Sequence, residues 1–166
     1  MKAVYITEHG GTDKLVYGDR PEPEIAPGEV ILRVRASALN HLDLNLRAGT
    51  SYNGPLPRTL GCDIAGEVTA ISPQANTSLK VGDRVILNNR VTCGVCDACN
   101  MGLDQSCSAG KRIGVDLDGG HADEEGVVLA FGEPADAGRY DRVRHAQRLL
   151  ASNRCFCGCG LRPRDL

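Results

Sequence analysis

A mainly β domain is what the sequence predicts, and three observations predict it. Apolar and polar residues alternate over Glu29–Ala38 and again over Asp63–Ile71, the period-two pattern of half-buried strands. The 166 residues include 20 Gly and 8 Pro, turn formers that punctuate strands. Trp is absent and the first Phe is Phe131, so the core must rest on Val, Ile, Leu and Ala, of which the branched residues suit packed sheets.

The elements follow in order. The opening Met1–Glu8 reaches Glu8 and His9 before an apolar signal segment is established, so no secretory leader is expected. An acidic, proline-spaced loop over Pro21–Gly28 leads into the first alternating strand, where Val30, Leu32, Val34, Ala36 and Ala38 interleave with Arg33, Arg35 and Ser37. Asn40–Arg47 reads as a short helix, with Leu39, Leu42 and Leu46 at i, i+3 and i+7 and Gly49 as its stop. Asp63–Ile71 resumes alternation through Ile64, Gly66, Val68 and Ala70. Val81-Gly82-Asp83-Arg84 is a tight turn feeding an apolar strand, Val85–Leu87.

Composition bounds the class. The chain is 42% hydrophobic and 24% charged with net charge −2, which excludes collagen-like, mucin-like and wholly disordered chains. No run approaches the ~18 apolar residues of a membrane span, so no membrane association and a cytoplasmic location are expected. That compartment favours metal ligation over disulfides for the eight cysteines. Charge is uneven: residues 1–138 carry 12 Lys+Arg against 19 Asp+Glu, and residues 139–166 carry seven Arg against Asp141 and Asp165. No lysine follows Lys111, and Cys155, Cys157 and Cys159 crowd together. Composition therefore places a boundary between residues 120 and 138.

The strongest motif is Cys93-Gly-Val-Cys96-Asp-Ala-Cys99 followed by Cys107. Four thiolates at this spacing in a Gly- and Asp-rich stretch can wrap one tetrahedral ion from a single loop. Zinc is the expected metal, with iron in a rubredoxin-like site the alternative and unligated or disulfide-linked thiols the bland one. A closed shell of four cysteines leaves no position for water or substrate, so such a site is structural.

Other motifs occur in order along the chain: Lys2-Ala3-Val4, Pro27-Gly28-Glu29-Val30, Ala38-Leu39-Asn40-His41-Leu42-Asp43, Pro57–Val68 with Gly61-Cys62-Asp63 and Gly66-Glu67, Val81–Val85, the cysteine loop, and Gly119-Gly120-His121-Ala122. Together these resemble the N-terminal, GroES-like domain of the medium-chain zinc-containing alcohol dehydrogenase and quinone oxidoreductase superfamily. The resemblance implies a partly open β-barrel over residues 1–122 with a short helix and a structural zinc lobe at 88–110. It leaves residues 123–166 as a tail outside the family, irregular or weakly helical.

It also implies an activity: NAD(P)-dependent oxidoreduction of a small-molecule carbonyl or alkene, in an enzyme that can be a homo-oligomer. Zinc-dependent members hold a second, catalytic zinc through a Cys where this chain has Asn40, a His where it has Cys62, and a later ligand. Asn40-His41-Leu42-Asp43 instead resembles quinone-reductase-like members, which use no catalytic metal. The resemblance gives His41 a place facing cofactor phosphates or the cleft, and lets Asn40 and Asp43 bind substrate or hold the loop. The bland readings are a helix N-cap for Asn40, a first-turn carboxylate for Asp43 and an exposed helix residue for His41.

The dinucleotide motif G-x-G-x-x-G is absent: Gly158 and Gly160 form the sole G-x-G pair, and Pro163 takes the third glycine's place. The expectation is a domain truncated before its cofactor half and unable to transfer hydride alone. The Arg-rich, Lys-free tail is what an out-of-frame reading of a GC-rich gene produces after about residue 122. Rival readings of the tail are a basic helix over Arg139–Leu150, with Val143, Ala146 and Leu150 on one side, that binds nucleic acid, and a soft-metal site at Cys155, Cys157 and Cys159. For the whole chain, the alternative to an oxidoreductase fragment is a zinc-stabilised protein-interaction module.

Overall fold

A computed structural model of the chain describes residues 1–50, 54–122, 127–130 and 146–148. The alternating segments form the strands expected of them. In order the elements are β1 (Lys2–Ile6), β2 (Leu15–Asp19), β3 (Glu29–Ala38), α1 (His41–Ala48), β4 (Arg58–Thr59), β5 (Asp63–Ile71), β6 (Arg84–Leu87), β7 (Arg90–Val91), α2 (Asp97–Asn100), β8 (Lys111–Arg112), β9 (Val127–Ala130) and β10 (Ala146–Arg148). Three open antiparallel sheets result, in the orders β2-β1-β4, β10-β6-β5-β3-β9 and β7-β8. No helix among the described residues is long and apolar enough to cross a membrane.

β3 and β5 are the spine. Val30, Leu32, Ile64 and Val68 point inward at 0–3% exposure and join Leu79, Val85, Leu87, Val91 and Ile113 in an aliphatic core. A second cluster, Ile6, Leu46, Leu60 and Val115, seats the helix against β1. With no aromatic residue in either cluster, stability rests on close packing of branched side chains. Leu32→Ala, at 0% exposure, is expected to cost ~2–5 kcal/mol, measured as a lowered urea midpoint with an unchanged slope.

Three local expectations differ from the fold. Leu39 precedes the helix and is 79% exposed, because Asn40 caps α1 in extended conformation and leaves Leu39 outside the helical periodicity; Leu42 and Leu46 do pack inward. In β3, burial alternates over the first half, whereas Arg35–Ala38 is exposed; register shifts at Ile31/Leu32 and Val34/Ala36 bend the strand out of the core. The tail is neither wholly irregular nor helical where it is described. β9 pairs with β3, and β10 pairs with β6 through Ala146↔Leu87. Unpaired backbone groups at a sheet edge accept a strand readily, which puts Ala146 in a sheet rather than on a helix face. Val143, Leu150 and the Cys155, Cys157 and Cys159 cluster lie outside the described residues.

Candidate metal lobe and polar cleft

The lobe hangs from a clasp. β7 and β8 pair antiparallel, and the residues between them form a loop with α2 at its centre and left-handed glycines at Gly94 and Gly102. Arg90 closes it from below: Nε donates to the Asp104 carbonyl at 3.0 Å and Nη2 to the Cys107 carbonyl at 3.3 Å.

Cys93, Cys96, Cys99 and Cys107 converge, their sulfurs all within 4.8 Å of one another. Sγ separations are 3.5 Å for Cys96–Cys99, 3.6 Å for Cys93–Cys107 and 3.9 Å for Cys93–Cys99. Thiolates about 2.3 Å from a tetrahedral ion sit about 3.8 Å apart, so the four fit such an ion. The thiols are uneven before it binds. Backbone N–H groups of Val95 and then Cys96 pull the Cys93 thiol down, while burial, then Cys96, pushes the Cys99 thiol up. A tetrahedral ion held by all four would take each of them as a thiolate.

The second place of interest lies where β3, α1, β5 and the Gly119–Ala122 segment meet. Asn40 is the N-cap of α1: its Oδ1 accepts from the Leu42 N–H at 3.1 Å, and its Nδ2 donates to Asp63 at 3.0 Å. Asp43 completes the capping box, accepting from the Asn40 N–H at 2.8 Å, and its other oxygen accepts from the Gly61 N–H at 2.9 Å. Asp43 is 3% exposed, with each carboxylate oxygen accepting from a backbone N–H. His41 stands exposed at the start of the helix.

The Asn40 and Cys62 positions sit in different surroundings from the cysteine lobe. The Asn40 amide is spent on Asp63, and burial, then the charges of Asp43 and Asp63, pushes the Cys62 thiol up to about 11. Among the described residues Cys62 has no two ligating side chains grouped with it.

Two residues given no role from the sequence enter this cluster. His121 Nδ1 lies 2.9 Å from Ser37 Oγ, and its Nε2 faces Asp43 Oδ2 at 3.8 Å. Burial alone drives the Asp43 carboxyl up, but the His121 ring and the Asn40 and Gly61 N–H groups outweigh it and hold the group below the ordinary 3.8. The approach depends on glycines. Gly61 has φ +102°, and a Cβ there would lie 2.7 Å from both the backbone N and Nδ1 of His121. Side chains at Gly119 and Gly120 would overlap the Leu60 and Gly61 carbonyls and Ile64, respectively. The Gly119-Gly120 pair was the available signal, since paired glycines mark close backbone approach.

Residues 26–131 match the family described as alcohol dehydrogenase GroES-like domain. The chain is 36% identical over 130 residues to the D-altritol 5-dehydrogenase of Agrobacterium fabrum, covering 78% of this chain and 37% of that protein. It is 35% identical over 133 residues to the L-threonine 3-dehydrogenase of Pyrococcus horikoshii, with the same two coverages. Among solved structures it is similar to a cobalt and zinc bound thermostable alcohol dehydrogenase from Pyrobaculum aerophilum, at TM-score 0.71 and 34% identity, over 78% of this chain and 38% of that one. The chain thus spans about 37% of the length of these two curated relatives.

Proposed function

The chain belongs to the alcohol dehydrogenase GroES-like family, and from that premise we propose that its residues form the zinc-stabilised, substrate-side wall of an NAD(P)-dependent oxidoreductase acting on a small carbonyl or alkene. The observation that carries the reading is the four-cysteine lobe, with sulfurs within 4.8 Å, set on a barrel of this family. Cys93, Cys96, Cys99 and Cys107 hold one structural zinc, which orders the lobe and takes no part in the reaction. A nicotinamide dinucleotide supplies the hydride in such enzymes, and the 166 residues contain no G-x-G-x-x-G loop to cradle one. The dinucleotide therefore does not fit this stretch of chain.

What these residues do is bind and orient. Asn40 and Asp43 fix the start of α1 and the Gly61 turn, so that the polar cleft keeps its shape, while His41 presents an exposed imidazole at the cleft's rim. The Asn40 and Cys62 positions carry no second zinc.

Metal analysis of the purified chain tests this together with cofactor titration. One zinc per chain is expected, with sulfur-to-cobalt charge-transfer bands after cobalt exchange, and no saturable quenching or enhancement of NADPH or NADH fluorescence. Two equivalents of metal would overturn the single-site reading. Saturable micromolar cofactor binding would overturn the claim that the dinucleotide site lies elsewhere.

A further inference from the structure

We propose that Ser37 and His121 are the proton-handling pair of this cleft, with Asp43 as the positioning residue behind them. The inference rests on the reading of the cleft as one wall of a site for a small carbonyl or alcohol.

The geometry is a line of three polar groups running from the interior to a groove. Asp43 lies at its buried end, 3% exposed, its carboxylate fixed by the two backbone N–H groups of Asn40 and Gly61. His121 is the middle member, its side chain 13% exposed and its Nε2 buried without a hydrogen-bond partner. Ser37 is the outer member, exposed near the end of β3. Ser37 and His121 both line an open groove of about 530 Å³, which Tyr17, Val34 and Leu39 also wall. Lys2 and Arg35 border it, and each is paired with an acid, Lys2 with Asp19 and Arg35 with Glu67. An uncharged molecule with one polar oxygen suits such walls.

The chemistry follows from which nitrogen faces which group. When a hydride donor held outside these residues forms the new C–H bond at a carbonyl carbon, the C=O π pair moves to the oxygen, which takes the Ser37 hydroxyl proton. Ser37 Oγ takes in turn the Nδ1 proton of the His121 imidazolium. The ring is left neutral with its remaining proton on Nε2, facing the Asp43 carboxylate, which stays ionised throughout. In the oxidative direction each proton moves back, and the substrate hydroxyl gives its proton to Ser37 as Ser37 gives its own to Nδ1. A carboxylate beside one ring nitrogen sets the tautomer and orients the ring for work at the other.

The test uses the zinc-loaded chain. Long-range ¹H–¹⁵N spectra of the histidine rings at pH 9 read the tautomer of neutral His121 directly. A proton on Nε2, with Nδ1 accepting from Ser37, is expected; a ring protonated on Nδ1 would overturn the proposal. Fluorine NMR titration with 2,2,2-trifluoroethanol reads the groove. Ser37→Ala and His121→Phe are expected to weaken binding at least fivefold, and Ser37→Thr to stay within twofold of the parent. No binding by the parent, or binding unaltered in those two variants, would overturn it equally. Zinc content separates this from the reading it rests on: a chain without zinc but with the expected tautomer and binding sinks the zinc reading alone, whereas one zinc with the wrong tautomer sinks the relay alone.

Discussion

Cys99→Ser is expected to abolish stable metal binding and to unfold the lobe while leaving the barrel standing. Cys99 is 8% exposed, on α2 at the centre of the loop, and its sulfur lies 3.5 Å from that of Cys96 and 3.9 Å from that of Cys93. Closed thiolate sites contribute ~10–16 kcal/mol of apparent binding energy that is also folding energy, and the lobe has little else. Its described residues contribute the partly exposed Val95, Met101 and Leu103 and a helix of four residues, too short to persist alone. Zinc content is expected to fall from one per chain to under a tenth, the same drop as expected of the parent after treatment with a strong chelator. Hydrogen exchange then localises the damage: amides between β7 and β8 lose protection, and those of β3 and β5, paired along their length, keep it. Uniform loss of protection would mean that the metal holds the whole domain.

Asp43→Ala is expected to lose roughly 2–5 kcal/mol of stability at pH 7, because the Asn40 and Gly61 N–H groups are left without an acceptor at ~1–3 kcal/mol each. The His121 ring loses the charge it faces as well. Asp43→Asn retains one acceptor oxygen and is expected to fall between the two. The effect has a pH signature. A carboxyl held below 3.8 in the folded chain contributes stability that is fully present above that value and is lost as pH falls through the lowered folded-state value. Urea unfolding from pH 7 to pH 2 is therefore expected to show parent and variant converging below about pH 4. A constant gap across that range would mean that the carboxylate acts through packing alone.

Much of the fold was legible because its signals are local. The limits of β3 and β5 coincide with the alternating segments, since one buried face imposes period two on the side chains that cover it. The helix was legible from its ends, Asn40 as cap and Gly49 in left-handed conformation at the stop. The exposed second half of β3 was not legible, since alternation persists in the sequence after the bulge has turned the strand away from the core. The strands β9 and β10 were hidden for a similar reason: partners as remote as Leu32 for Val127 and Leu87 for Ala146 leave no mark in the short segments that pair with them.

The site divides along the same line. Cys93, Cys96, Cys99 and Cys107 fall within one loop, so spacing by itself pointed to the four sulfurs that converge. Asn40 was likewise readable as an N-cap and Asp43 as a first-turn carboxylate, whereas the capping box they close emerged from the fold. The contact of Ser37 with His121, 84 residues on, was decided by the tertiary structure alone. It exists because Gly61, Gly119 and Gly120 let two backbone segments approach closer than side chains allow. A run of residues records what each must do along its own strand or loop, and the meeting of distant groups is set by how those strands pack.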